Sequence, residues 1–158
     1  MAPEPGGVPP RELVFALEFR GTAWALPGST TKRRAKTTAW SQALSSVLGP
    51  EGVAARVERL TGEHAVLESE VERRGDGTFV EAGTIAYGSA GTIAFETVGQ
   101  GIVGPSPVAG WQRGAVIWVV TGGEGRFAGA RGVITSNFTV SAGGEVIDNH
   151  FARLYLPR

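Results

Sequence analysis

Five polar residues stand alone inside apolar, strand-like runs: Glu18 in FALEFR, Glu81 in FVEAG, Glu96 in AFETV, Asn137 in TSNFTV and His150 in DNHFA. A carboxyl group placed in an apolar cavity holds its proton more tightly, because desolvation penalises the charged form. That suits it to general acid or base work, or to a hydrogen bond with a carbonyl. Asn and His can polarise an oxygen in the same setting. Glu18, Glu96, Asn137 and His150 are therefore the candidate catalytic groups. Glu81 is a candidate polar ligand contact, and Tyr87, Phe95, Trp118 and Phe138 are candidate apolar walls. The competing reading puts each polar group on the wet face of its strand, or uses it to brace the fold through hydrogen bonds.

Other chemistries are poorly supplied. There is no cysteine, which removes disulfides, thiolate nucleophiles and Cys-ligated metal sites. No GxSxG, Walker A, HExxH or EF-hand pattern occurs. The two histidines, His64 and His150, are too few for a three-His centre, and their spacing gives no support to a site of two histidines and a carboxylate, so no metal is expected. Gly123 to Ala128, GEGRFA, matches a dinucleotide fingerprint and follows a strand-like run. The residues beyond it are β-branched and broken by glycine, so the helix needed to hold a pyrophosphate is missing and the segment reads as a structural turn. No cofactor is expected.

The elements that must position these residues are strands. From Glu12 to Trp24, Leu13, Phe15, Leu17 and Phe19 fall on one side and Val14, Ala16, Glu18 and Arg20 on the other, which is the period of two of a strand. Pro27 to Lys36, PGSTTKRRAK, reads as an exposed basic loop, with contact to a phosphate or anionic ligand as the alternative. Trp40, Leu44 and Val47 recur at helical spacing before Gly49 and Pro50, which predicts a short helix near 38–48. After two further strands, Asp76 and Gly77 signal a hairpin. GSAG closes a second turn, and Gln100 to Gly110 reads as a loose connection. AVIWVV is apolar at every position and is expected to be buried on both faces. The chain ends on strands joined at Gly143 and Gly144.

Many short strands divided by turn signals predict an all-β fold: one antiparallel, closed β-barrel of about eight strands. Closure is favoured because it removes the edges that runs such as AVIWVV would otherwise expose. At 158 residues the chain suits a single domain, placed at 11–158 behind a disordered lead at 1–10. Zero formal net charge names no nucleic-acid partner. The lack of a signal-like start or a long apolar run predicts a cytoplasmic protein without membrane contact.

DGTFVEAGTIAYGSAGTIAFETVGQG followed by AVIWVVTGGEGRFAGARG resembles the repeated turn pattern of the allene oxide cyclase-like and dirigent-like barrels, over about half the chain. That group also includes spirotetronate cyclases acting on polyketides. The resemblance implies an eight-stranded barrel around an apolar cavity, no obligatory cofactor, homo-oligomers, and a small hydrophobic molecule as ligand. It also makes Glu18 the loose analogue of a first-strand carboxylate. The function implied is a cofactor-free cyclase or isomerase shaping a polyketide- or fatty-acid-like intermediate in secondary metabolism. The alternative is a non-catalytic, dirigent-like binding protein.

Overall fold

The computed structural model describes residues 7–158. Of the expected disordered lead at 1–10, residues 1–6 lie outside the described residues, and Gly7 to Pro10 precede the first strand as exposed chain. Eleven strands follow: β1 (Arg11–Ala25), β2 (Lys32–Ala39), β3 (Gln42–Gly49), β4 (Gly52–Arg59), β5 (Ala65–Arg73), β6 (Thr78–Tyr87), β7 (Gly91–Thr97), β8 (Gly101–Pro105), β9 (Trp111–Gly125), β10 (Arg131–Ser141) and β11 (Glu145–Leu156). All strands but β3 and β4 form one antiparallel sheet that runs β10, β11, β1, β2, β5, β6, β7, β9 and closes through β9 on β10. Strands β7 and β8 share one place in the ring. Each pairs with β6 on one side and β9 on the other, β8 continuing where β7 stops, so the barrel has eight positions. The expected closed all-β barrel is therefore the observed one. Among the described residues there is no helix, so none is long and apolar enough to cross a membrane.

The sequence period sets what the barrel encloses. On β11, Val146, Asp148, His150, Ala152, Leu154 and Leu156 are all buried, while their odd-numbered neighbours face outward. Phe19, Leu67, Ile85, Ile93, Phe95, Trp118 and Ile134 meet the inward row of β11 in the core. Phe95 stacks on Trp118 with ring centres 4.2 Å apart.

The glycine-rich turn between β9 and β10 plugs one end. Gly125 and Gly129 adopt positive φ, +65° and +74°, which a residue with a Cβ resists. The turn is tied by Phe127 N donating to Glu124 O and Ala130 N donating to Phe127 O. It thereby drives the buried Phe127 ring against Tyr87 (5.3 Å), which in turn meets Phe15 edge-on (5.4 Å). The apparent nucleotide fingerprint is thus a barrel plug.

Four local expectations are corrected. The helix near 38–48 is absent, because Thr38 and Ala39 end β2 and Gln42 to Gly49 form β3, which pairs with β4. Gly49 and Gly52 sit opposite each other across the turn, so the Gly-Pro pair reverses a hairpin instead of ending a helix. This hairpin stands off the barrel, rooted where Gln42 Nε2 donates to Glu18 O (2.7 Å) and the Arg59 guanidinium lies over the Trp40 ring.

The basic stretch is a loop only as far as Thr31. Lys32 to Lys36 lie in β2, with Lys32, Arg34 and Lys36 directed outward and paired with Glu70 and Glu68 of β5 at 3.3–3.9 Å. Alternating glutamates on β5 thus give the basic run a strand partner. These exposed pairs specify register more than they add stability.

AVIWVV is buried on one face only. Val116, Trp118 and Val120 fill the core, while Ile117 is about half exposed on the outer wall. The connection expected from Gln100 to Gly110 contains β8.

Candidate ligand cavity

Opposite the plug, the barrel is open. Between the ends of β2, β5, β6, β8, β10 and β11 lies a cavity of about 70 Å³ with apolar walls that include Leu67, Val71, Phe79, Val103, Phe138 and Val140. Phe79 and Phe138 meet edge-on at 5.7 Å. A Cβ on Gly114 would stand 2.6 Å from the Phe138 ring, so this glycine is what lets the ring lie flat over β9.

Two acidic side chains face this space, Glu81 from β6 and Asp148 from β11. Glu81 shares the inward parity of Phe79, Ile85 and Tyr87. Its backbone sits where β6 changes partner from β7 to β8, and Thr97 fills the gap in the ladder. The Thr97 hydroxyl accepts from Glu81 N and donates to Glu81 O, both at 2.7 Å. The Glu81 Oε2 accepts from Ser69 Oγ at 2.5 Å. Glu81 is partly buried at the cavity wall, and burial, opposed by the Ser69 bond and assisted by the charge of Asp148, pushes its pKa from 4.5 up to about 8. The site thus favours its protonated form.

Asp148 has donors on both oxygens. Ser136 Oγ donates to Oδ1 at 2.6 Å, and His150 Nε2 stands 2.8 Å from Oδ2. A proton on Nε2 makes that contact a hydrogen bond and leaves Nδ1 as an acceptor, an assignment that follows from the partner. His150 is itself wedged between Phe19, stacked at 4.3 Å, and the edge of Trp118 at 5.0 Å. Serine, histidine and aspartate thus adjoin, but the carboxylate is in the middle. Ser136 stands opposite His150 across β10 and β11 but donates its hydroxyl hydrogen bond to Asp148 and none to His150, so it is not an activated nucleophile.

Among the described residues, Thr37 Oγ1, Trp118 Nε1 and His150 Nδ1 are buried without a hydrogen-bonding protein partner. Each such group costs about 1–3 kcal/mol. Thr37 lines the cavity.

The residues singled out from sequence divide by parity. Glu81 and Phe138 line the cavity, and His150 lies behind Asp148. Phe95 and Trp118 belong to the packed core and Tyr87 to the plug, where burial raises its phenol pKa. Glu18, Glu96 and Asn137 are directed outward. Glu18 accepts from Arg20 Nε (2.9 Å) and from Asn149 Nδ2 (3.0 Å), while Glu96 and Asn137 are exposed on β7 and β10. Asp148, Ser136, Ser69 and Thr37 were not singled out. The available signal was inward parity with Val146 and Ala152 for Asp148, and with Leu67 for Ser69.

No family model matches the sequence, and no curated protein matches it. Among solved structures the chain is similar to a pterocarpan synthase dirigent protein, GePTS1, with 12% identity, 100% of this chain and 98% of that chain covered, and a TM-score of 0.35. A likeness at that level carries no argument about chemistry. The barrel assignment rests on the closed strand order.

Proposed function

We propose that the barrel is a cofactor-free cyclase or isomerase acting on a small, apolar, oxygen-bearing intermediate of polyketide or fatty-acid type, in the manner of the allene oxide cyclase and spirotetronate cyclase group. The observation that carries this reading is a pair of carboxyl groups facing one apolar cavity in different surroundings. Glu81 is buried with a single hydroxyl donor, Ser69, which favours its acid form, whereas Asp148 has Ser136 on one oxygen and His150 beside the other. Carboxyl groups set in unlike surroundings serve as acid and base. In the proposed step Glu81 donates its proton to an epoxide oxygen as the C–O bond breaks, and Asp148 takes a proton from the neighbouring carbon, whose C–H electron pair forms the new C=C bond; the proton returns from Asp148 to Glu81 through water at the open mouth once the product leaves. His150 is the positioning residue of Asp148. The aromatic walls fold the chain and exclude water, contributions that reach several kcal/mol in oriented reactions. Glu18, Glu96 and Asn137 face away from this space, so the proposed chemistry is assigned to Glu81 and Asp148.

The second reading is a dirigent-like binding protein. The mostly apolar wall of the cavity supports it, since such a wall holds a hydrophobic ligand with no reaction. The test is incubation with a panel of unsaturated epoxides and oxygenated polyenes, with products resolved by chiral chromatography and binding followed by calorimetry. For an enzyme, Glu81→Gln is expected to lower turnover at least about a hundredfold, the lower end of the usual range for one acid-base group, with binding retained. Binding without turnover across the panel would replace the cyclase with the carrier. A barrel that neither binds nor converts any member would remove both.

The same proposal includes self-association. Val14, Ile117, Val133 and Phe151 are each about half exposed on the outer faces of adjacent strands β1, β9, β10 and β11. Ile117, Thr135, Phe151 and Ala16 stand in one cross-strand row of this outer face, and Val14 and Val133 flank Arg153 in the next row. Covering this face by another copy would account for the two-faced apolarity of AVIWVV. Sedimentation equilibrium is expected to give a mass above 16.5 kDa, falling toward it in Phe151→Glu. A wild-type protein at the monomer mass would discard this part of the proposal.

A further inference from the structure

The cavity mouth has a charge that the acid-base pair does not use. Arg33 of β2 and Arg73 of β5 both line it, and strand register places Arg33 beside Val71, two residues from Arg73 on the same inward face. Among the described residues the ion pairs are Arg20–Glu18, Lys32–Glu70, Arg34–Glu70, Lys36–Glu68, His150–Asp148 and Arg153–Glu12, and none contains Arg33 or Arg73. The other basic residues of β2 find glutamates on the outer face, whereas the inward guanidiniums have none. Among the described residues the one hydrogen bond of the Arg73 side chain is a long one, Nη1 donating to Gln112 Oε1 at 3.4 Å. Burial and the neighbouring charge of Arg33 both lower the pKa of Arg73, as expected for two cations drawn together without an anion between them.

Two converging guanidiniums present the fork that matches a planar oxyanion. Along the barrel, Arg73 begins about 7 Å, two strand steps, nearer the mouth than Val71, the register partner of Glu81. A ligand reaching both ends therefore has an anionic group and a separate oxygen function joined by a short apolar span. The cavity of about 70 Å³ sets the same compact scale.

We propose that Arg33 and Arg73 form an anion-recognition pair at the barrel mouth, and that the ligand of this cavity is a compact organic acid bound with its carboxylate at the arginines and its apolar body toward Phe79 and Phe138. This specifies the ligand class of the function proposed above and rests on that reading of the cavity. It gives the acid-base pair a fixed substrate orientation, because the carboxylate anchors one end while the walls hold the other.

The test is calorimetric titration of the full chain with three ligands sharing one short apolar body: butanoate, butan-1-ol and butylamine. The acid is expected to bind at least about tenfold more tightly than the alcohol, with the amine weakest, the scale of a charge-assisted hydrogen bond. In Arg33→Gln with Arg73→Gln, the acid should fall to the affinity of the alcohol. Unchanged alcohol binding by the variant would show that its cavity is intact. Equal affinities for the three ligands in the wild-type protein would overturn the anion site and leave the cavity reading standing. So would an acid preference that survives the double substitution. Failure of all three to bind would overturn the cavity reading and the proposal with it.

Discussion

Glu81→Gln is expected to make the protein more stable near neutral pH, by roughly 3 kcal/mol at pH 7, an unusual outcome for a substitution inside a barrel. The folded chain holds the Glu81 proton to about pH 8, whereas the unfolded chain releases it near 4.5. At pH values between those two the folded state binds more protons than the unfolded one, so stability falls as pH rises, by about 1.4 kcal/mol per unit. Below 4.5 both states are protonated and nothing is lost. Above 8 both are ionised and the loss levels off at about 5 kcal/mol. Glutamine has nearly the same shape, keeps an oxygen for the Ser69 hydroxyl, and does not titrate. Urea denaturation across this range should therefore show a declining profile for the wild-type protein and a flatter one for Glu81→Gln, the two meeting near pH 4. Because Asp148 contributes to the shift, Asp148→Asn should move the wild-type inflection to lower pH. Parallel profiles for wild type and Glu81→Gln would show that Glu81 ionises freely in the fold, and the acid role proposed for it would go with them.

That Glu81 can hold a proton follows from its placement, and parity makes part of this placement legible in the sequence. Leu13, Phe15, Leu17 and Phe19 define the inward face of β1 from the amino-acid order alone, and Glu18 falls on the other face by the same count. The same count sends Glu96 outward between Phe95 and Thr97, and sends Glu81 inward with Phe79. Parity within one strand does not say which rows meet across the barrel. The meeting of Glu81 with Asp148 depends on strand order around a closed ring, and on a change of partner at which β8 takes over from β7.

The helix expected near 38–48 failed for a related reason. Trp40, Leu44 and Val47 satisfy helical spacing, but Trp40 and Leu44 also share the parity of a strand, and Leu44 and Val47 face Val57 and Ala54 across β4. In a short segment the two periods coincide, and pairing with a strand beyond the Gly-Pro turn decides between them. The basic run was settled in the same way, by glutamates on β5 some thirty residues further along the chain.

The two ends of the barrel should respond differently to the same deletion. Phe127→Ala is expected to cost about 3–5 kcal/mol, the range for truncating an aromatic ring in a closed core. The Phe127 ring is 7% exposed and seals the plugged end against Tyr87, so its removal leaves a space that neighbouring side chains can refill only by displacing the turn. Gly123 adds to this constraint. A Cβ there would strike the Phe127 carbonyl, so the turn already lies directly on the β9 backbone and has little room to collapse inward. Phe138→Ala removes the same atoms from a ring that is only partly buried and borders open space. It enlarges a cavity that solvent or ligand can enter, and its cost is expected to stay below about 2 kcal/mol, near the transfer value of a partly exposed ring. Urea midpoints of the two variants, with unchanged m-values, make the comparison. A similar loss for both would mean that the mouth is packed as tightly as the plug, leaving no room for a ligand between Phe79 and Phe138. A large loss confined to Phe127→Ala would establish a barrel sealed at one end by its glycine-rich turn and able to admit a molecule only from the other, past Arg33 and Arg73.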